Sequence, residues 1–130
     1  MACASCGAET LEFPVDGGLQ GLLPGEEPGA AICTRCLALE PVAEPPASVP
    51  DFQLVSTAMP ADPDAALPMA ILLGLLENLA LHRAAIAELL TRVERAGADP
   101  LLVLDRLAHD EALEPGVDLE RRRRNLEQLL

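Results

Sequence analysis

Four cysteines are the residues in this chain that are best suited to chemistry, and they occur as two CxxC pairs. The first pair is Cys3 and Cys6, and the second pair, Cys33 and Cys36, follows after a gap of 26 residues. Four thiolates at this spacing are typical of a tetrahedral Zn²⁺ site without an open ligand position. We therefore predict that these cysteines bind one structural Zn²⁺ ion.

Two other functions use paired cysteines. A redox-active CxxC lies at the N-terminus of a helix that follows a strand, and neither pair has that setting in the sequence. Iron–sulfur centres also take four cysteines, although their common spacings differ from this one. Gly7 favours the zinc interpretation, because a small residue after the second cysteine lets backbone N–H groups turn toward the thiolates.

The remaining polar residues offer weaker sites. We interpret His82 and His109 as helix-end or surface residues, because four cysteines already complete a metal site. The run Arg121, Arg122, Arg123 and Arg124 is a candidate interaction site for RNA or an acidic partner, but Glu120 and Glu127 flank it at helical spacing. No nucleophile–base arrangement and no phosphate-binding loop is present in the sequence, so we expect no enzyme activity.

The composition is strongly acidic. Twenty-one Asp and Glu residues stand against nine Arg, Lys is absent, and the formal net charge is −12. Salt reduces the self-repulsion of such a chain, so the composition favours a halophilic origin; a GC-rich genome is the alternative. The same charge disfavours binding to nucleic acid.

The N-terminus has no signal-peptide pattern, and the longest apolar run, from Ala65 to Leu76, is too short to span a bilayer. We therefore expect a cytoplasmic protein that does not bind a membrane. In a reducing cytoplasm, cysteine pairs bind metal more readily than they form disulfides.

The elements that must position the cysteines are short strands. Leu11, Phe13 and Val15 alternate with polar residues or proline, which predicts a strand, and Pro14 makes it an edge strand. Apolar residues also lead into the second CxxC pair and leave it. The pattern over residues 1–40 therefore predicts a zinc ribbon in which metal provides most of the folding free energy.

Residues 41–50 form a proline-rich linker, and residues 51–130 predict a small all-α domain with about four helices. Asp51 predicts a short capped turn that docks through Phe52 and Val55. The first helix is predicted from Asp62 to about Leu81 and has a buried centre, and the second is predicted from Arg83 to Ala96. The third and fourth helices begin after Asp99 and after Asp118. The linker predicts that metal removal melts residues 1–40 and spares the helices.

The chain resembles a family of small uncharacterised zinc-ribbon proteins of halophilic archaea. The resemblance covers nearly the whole chain outside the linker, although openings in that family often have proline where this chain has Ala4. It implies zinc binding and a halophilic source but no mechanism. The matching segments are Met1 to Gly7, Cys33 to Cys36, Asp99 to Leu107 and Val117 to Arg124.

We therefore expect a zinc-binding adaptor that docks a protein partner through its helical domain. The alternative is a regulator of the transcription or translation machinery that contacts nucleic acid, and a thiol redox protein is a third reading.

Overall fold

A three-stranded antiparallel sheet forms the N-terminal part of the protein in the computed structural model, which describes residues 2–129. Strands β1 (Thr10–Pro14), β2 (Gly29–Cys33) and β3 (Leu39–Val42) lie in the order β1-β2-β3. Phe13 pairs with Ala30, and Ala31 pairs with Glu40. The predicted strand around Phe13 is confirmed, and it lies at an edge of the sheet, as Pro14 requires.

Residues 2–129 contain five α-helices and two short 3₁₀ turns. The helices are α1 (Gly17–Gln20), α2 (Pro63–Leu75), α3 (Arg83–Arg95), α4 (Pro100–Ala108) and α5 (Leu119–Glu127), and the turns are Phe52–Leu54 and Leu76–Asn78. The four predicted helices are present, but the first ends at Leu75 and continues only as a 3₁₀ turn. The short helix α1 was not predicted. It forms because Asp16 accepts hydrogen bonds from the backbone N–H groups of Gly18 and Leu19.

The helix starts follow the capping pattern of the sequence. Asp62, Asp99 and Asp118 each accept a hydrogen bond from a backbone N–H in the first turn of the helix they precede. Gly97 ends α3 with a φ of 96°, which glycine adopts without steric cost. Asp51 caps the turn Phe52–Leu54 in the same way, and Phe52 and Val55 are buried as predicted.

Helix α2 is the central element of the structure. All of its residues from Ala65 to Leu73 are buried, including Pro68, and the predicted buried helix is thereby confirmed. Its Gly74 lies against Leu39 of β3 so closely that a Cβ atom at Gly74 would overlap the Leu39 side chain. Glycine at this position therefore lets the helix approach the sheet.

The sheet and the helices share one hydrophobic cluster. The two aromatic residues of the chain meet in it: Phe13 of β1 and Phe52 of the first 3₁₀ turn have ring centroids 5.1 Å apart in an edge-to-face arrangement. Both rings are buried. The shared cluster therefore contains residues from both sides of the predicted linker.

The proline-rich linker differs from its prediction at its start. Pro41 and Val42 belong to β3, so the irregular segment covers residues 43–50. Pro45 packs directly over Gly29 of β2, and a Cβ atom at Gly29 would overlap the proline ring. The segment therefore lies on the sheet. Among the described residues, no helix combines the length and the apolar character that crossing a bilayer requires.

Candidate metal centre

The structure brings all four cysteines together. Their Sγ atoms lie within 4.8 Å of one another. Across the two CxxC loops, the Sγ atoms of Cys3 and Cys36 are 3.7 Å apart and those of Cys6 and Cys33 are 3.4 Å apart. Four thiols this close can hold one metal ion. Cys3 and Cys33 are buried, Cys36 is half-buried and Cys6 is exposed.

Backbone N–H groups point at one sulfur in each CxxC loop. The Sγ atom of Cys3 accepts a hydrogen bond of 3.3 Å from the N–H of Ser5. The Sγ atom of Cys33 accepts hydrogen bonds of 3.4 Å each from the N–H groups of Arg35 and Cys36. Such donors stabilise a thiolate and orient it toward a metal.

The residue after each CxxC pair has a left-handed backbone conformation. Gly7 has a φ of 79° and Leu37, at the equivalent position, has a φ of 65°. Such a conformation costs a non-glycine residue about 1–2 kcal/mol. The side chain of Leu37 is buried in the common core, and burying a leucine contributes about 1.5–3 kcal/mol, which offsets the cost. The sequence predicted the turn at Gly7 and carried no signal for the one at Leu37.

The four thiols do not have the same acidity. The backbone N–H groups of Cys6 and Ser5 lower the pKa of Cys3 to about 7. Burial raises the pKa of Cys36 to about 12. A metal ion bound by Cys36 would have to displace the proton of this thiol.

The metal centre is joined to the helical part through backbone hydrogen bonds. The loop between α4 and α5 donates from the N–H of Glu114 to the carbonyl of Arg35 at 2.8 Å, and from the N–H of Gly116 to the carbonyl of Cys36 at 3.2 Å. Hydrogen bonds between backbone groups leave no signal in the residue types, so the contact could not be found from the sequence.

Both histidines lie outside the cysteine cluster. His109 is exposed at the end of α4, where its Nδ1 is 2.7 Å from the carbonyl oxygen of Asp105. This hydrogen bond and the nearby carboxylate of Asp105 raise the pKa of His109. His82 occupies the position before α3, but its side chain makes no capping hydrogen bond within the described residues. Neither histidine belongs to the group of residues that can hold the metal.

The arginine run lies on α5, and half of it is engaged within the protein. Arg123 forms an ion pair with Glu127 at 2.6 Å and lies 3.9 Å from Asp105 of α4. Arg122 contacts Asn125 at 3.5 Å. Arg121 and Arg124 are exposed. The pairing predicted with Glu127 is present, which reduces the charge that the run offers to a ligand.

Comparisons with known proteins identify a family and no closer relative. Neither the curated proteins nor the solved structures contain a significant match to the chain. A family model described as "Family of unknown function (DUF6276)" matches residues 2–130. The match includes both CxxC pairs, the sheet and all five helices. The chain therefore belongs to the DUF6276 family.

Proposed function

We propose that this protein is a zinc-binding adaptor, in which a structural zinc ribbon holds a helical surface in position for a protein partner. The observation that carries the proposal is the four-thiol cluster, whose second CxxC loop is hydrogen-bonded to the loop between α4 and α5. A metal with four protein ligands has no position for a substrate. Its contribution is then to the fold and to the surface, which favours binding over catalysis.

The distances between the sulfurs support a tetrahedral four-thiolate site, which is the geometry of structural zinc. A tetrahedral ion with Zn–S bonds of about 2.3 Å places its four sulfurs about 3.8 Å apart. The separations of 3.7 and 3.4 Å across the two loops are close to that value. Cys3, Cys6, Cys33 and Cys36 would hold the ion, which would supply folding free energy and no reaction chemistry.

We expect the purified protein to contain one Zn²⁺ per chain. Elemental analysis of protein expressed without added metal checks this, and a variant with Cys3 and Cys6 both replaced by serine is the control that should contain none. Iron at the same stoichiometry, or metal-free protein that is fully folded, would contradict the zinc assignment.

A halophilic source forms part of the proposal, and it predicts that salt stabilises the fold. The acidic residues exceed the arginines by twelve charges. At molar KCl the screening length is about 3 Å, so their mutual repulsion is largely removed. If removal of this repulsion raises the free energy of unfolding by about 1–2 kcal/mol, the melting temperature should rise by about 5 °C or more from dilute to molar KCl.

Thermal melts followed by circular dichroism at several KCl concentrations measure this rise. A variant with exposed Glu26, Glu94 and Glu111 changed to glutamine should show a weaker dependence, because it carries less repulsion. A melting temperature that does not change with KCl would contradict the halophilic origin.

The alternative function is contact with nucleic acid, and the adaptor function predicts that such contact does not occur. We predict no measurable affinity for duplex DNA or generic RNA at physiological salt, because the net charge is −12 and Arg123 is paired within the protein. Fluorescence polarisation with labelled duplex and single-stranded oligonucleotides tests this. Micromolar binding with a steep salt dependence, abolished by changing Arg121 and Arg124 to glutamine, would place the nucleic-acid function first.

The adaptor function itself is tested by affinity capture. Tagged, metal-loaded protein in a high-salt lysate of the source cells should retain a defined protein partner that mass spectrometry identifies and that the tag alone does not retain. Reconstitution of the complex from the two purified proteins is the confirming step. Failure to reconstitute any captured complex would contradict the proposal.

A further inference from the structure

A groove of three adjoining hollows runs along the surface beside the metal centre. Hollow A, of about 260 Å³, lies between the CxxC loops, the end of α2 and the start of α5, and its apolar walls include Leu37, Leu73, Val117 and Leu119. Hollow C, also about 260 Å³, lies where the loop before β2 faces β3, and it is lined by Leu23 and Pro41 among others. Hollow B lies between them and is lined by Leu75, Asn78 and His82 among others.

The three hollows are neighbours because they share wall residues. Gly74 and Glu77 line both A and B, and Pro24 and Leu39 line both B and C. One stretch of chain, residues 36–41, lines the three hollows in order. The part of this stretch from Leu39 onward is strand β3, so an extended peptide can lie along it where it lines hollows B and C.

The walls of the groove combine apolar ends with acidic groups. Glu77 is exposed where A meets B, and Glu27 and Glu40 line hollow C. Hollow B adds the polar side chains of Asn78 and His82. No arginine lines any of the three hollows. The groove therefore presents negative charge both inside hollow C and where A meets B, and a ligand of complementary charge must be cationic.

Each end hollow is large enough for an aliphatic side chain, since a cavity of about 150 Å³ already accommodates a benzene molecule. In dilute salt a second copy of this chain is a poor occupant, because two bodies with a net charge of −12 repel each other. Nucleic acid is repelled for the same reason. A basic protein segment fits both the apolar recesses and the acidic walls.

We propose that this groove binds an extended segment of a partner protein in which apolar and basic residues alternate. Its apolar side chains enter hollows A and C, and its arginine or lysine side chains face Glu77 and Glu27. The proposal rests on the adaptor function and specifies the chemistry of the partner. It also explains why the metal centre adjoins the groove: the CxxC loops with Cys6 and Cys36 form one wall of hollow A.

The test is fluorescence polarisation of a dye-labelled heptapeptide of alternating leucine and arginine, with the full-length, metal-loaded protein in dilute KCl, where charge pairs are only partly screened. Two further peptides, one with glutamate for arginine and one with serine for leucine, are the ligand controls. We expect saturable binding of the first peptide, weaker binding of the serine peptide and none of the glutamate peptide. Absence of saturable binding, or equal binding of all three peptides, would overturn the proposal.

Matched protein variants separate the groove from the general acidity of the chain. Changing Glu27 and Glu77 to glutamine removes two groove charges, and changing exposed Glu94 and Glu111 to glutamine removes two charges outside it. Two partly screened charge pairs predict about three- to tenfold weaker binding for the groove variant and less than about twofold for the control. Equal weakening in both variants would show non-specific attraction and would overturn the site.

The same variants distinguish this proposal from the adaptor function. If a reconstituted partner binds the wild type and the Glu27→Gln/Glu77→Gln variant equally well, the adaptor function stands and the groove is wrong. If the groove variant loses that partner while the wild type and the control variant bind it, the adaptor function and the groove proposal are both supported.

Discussion

Replacing Cys33 by serine is expected to unfold the whole protein, including its helices. Cys33 is fully buried, its Sγ atom accepts two backbone hydrogen bonds, and it lies 3.4 Å from the Sγ atom of Cys6. Structural zinc sites contribute about 10–16 kcal/mol of apparent binding free energy, whereas domains have net stabilities of about 5–15 kcal/mol. Loss of the metal would therefore remove free energy comparable to the whole stability, and three remaining cysteines would bind it more weakly than four.

The helices should follow because the sheet and the helices are packed together. Phe13 and Phe52 contact each other across the proline-rich segment, and the loop between α4 and α5 is hydrogen-bonded to Arg35 and Cys36. These contacts lead to the opposite expectation from the linker composition alone, which predicts that the helices survive metal removal. The division into two separable domains stays a prediction that this experiment decides.

Circular dichroism at 222 nm and amide NMR spectra measure the outcome, since the chain has no tryptophan or tyrosine for fluorescence. Ser5→Ala is the matched control: Ser5 is exposed in the first CxxC loop, and only its backbone N–H is used at the centre, so metal content and melting temperature should not change. Wild-type protein treated with a strong chelator should behave like Cys33→Ser. Retention of the helical signal with dispersed amide resonances would instead show that the helices fold independently.

Gly74→Ala is expected to destabilise the protein, although the same change in most helices is stabilising. Alanine favours a helix interior by about 1 kcal/mol relative to glycine. Here the new methyl group would overlap Cβ, Cγ and Cδ2 of Leu39 in β3. Because the Cβ atom of Leu39 is attached to the backbone of the strand, helix and sheet must move apart. Overpacking of this kind costs about 1–3 kcal/mol, so we expect a net loss of stability.

Urea denaturation of metal-loaded protein measures this loss. Gly21→Ala is the control, because Gly21 has a φ of −66° and a methyl group there meets no described atom within 4 Å. It should leave stability unchanged or raise it by up to about 1 kcal/mol. The double variant Gly74→Ala/Leu39→Gly should lose less than the sum of the two single variants, because residue 39 then has no Cβ atom for the new methyl group to overlap. Additive losses, or a stabilised Gly74→Ala, would contradict the close packing of α2 on β3.

The sequence by itself determined the features that depend on residues close together in the chain. The two CxxC pairs identified the four cysteines whose sulfurs the fold brings within 4.8 Å of one another. The alternation around Phe13 predicted the edge strand, and Asp62, Asp99 and Asp118 predicted where three helices begin. Each of these signals is local, since capping, strand alternation and CxxC spacing act over a few residues.

Only the tertiary structure decided how the metal-binding part meets the helices. The contact between Phe13 and Phe52, the left-handed turn at Leu37, the approach of Gly74 to Leu39 and the groove along residues 36–41 all join segments distant in sequence. Leu37 shows the physical reason: its local preference disfavours the left-handed conformation, and burial in the common core outweighs that preference. Packing between distant segments selects such conformations, and the residue types on either side do not encode which segments will meet.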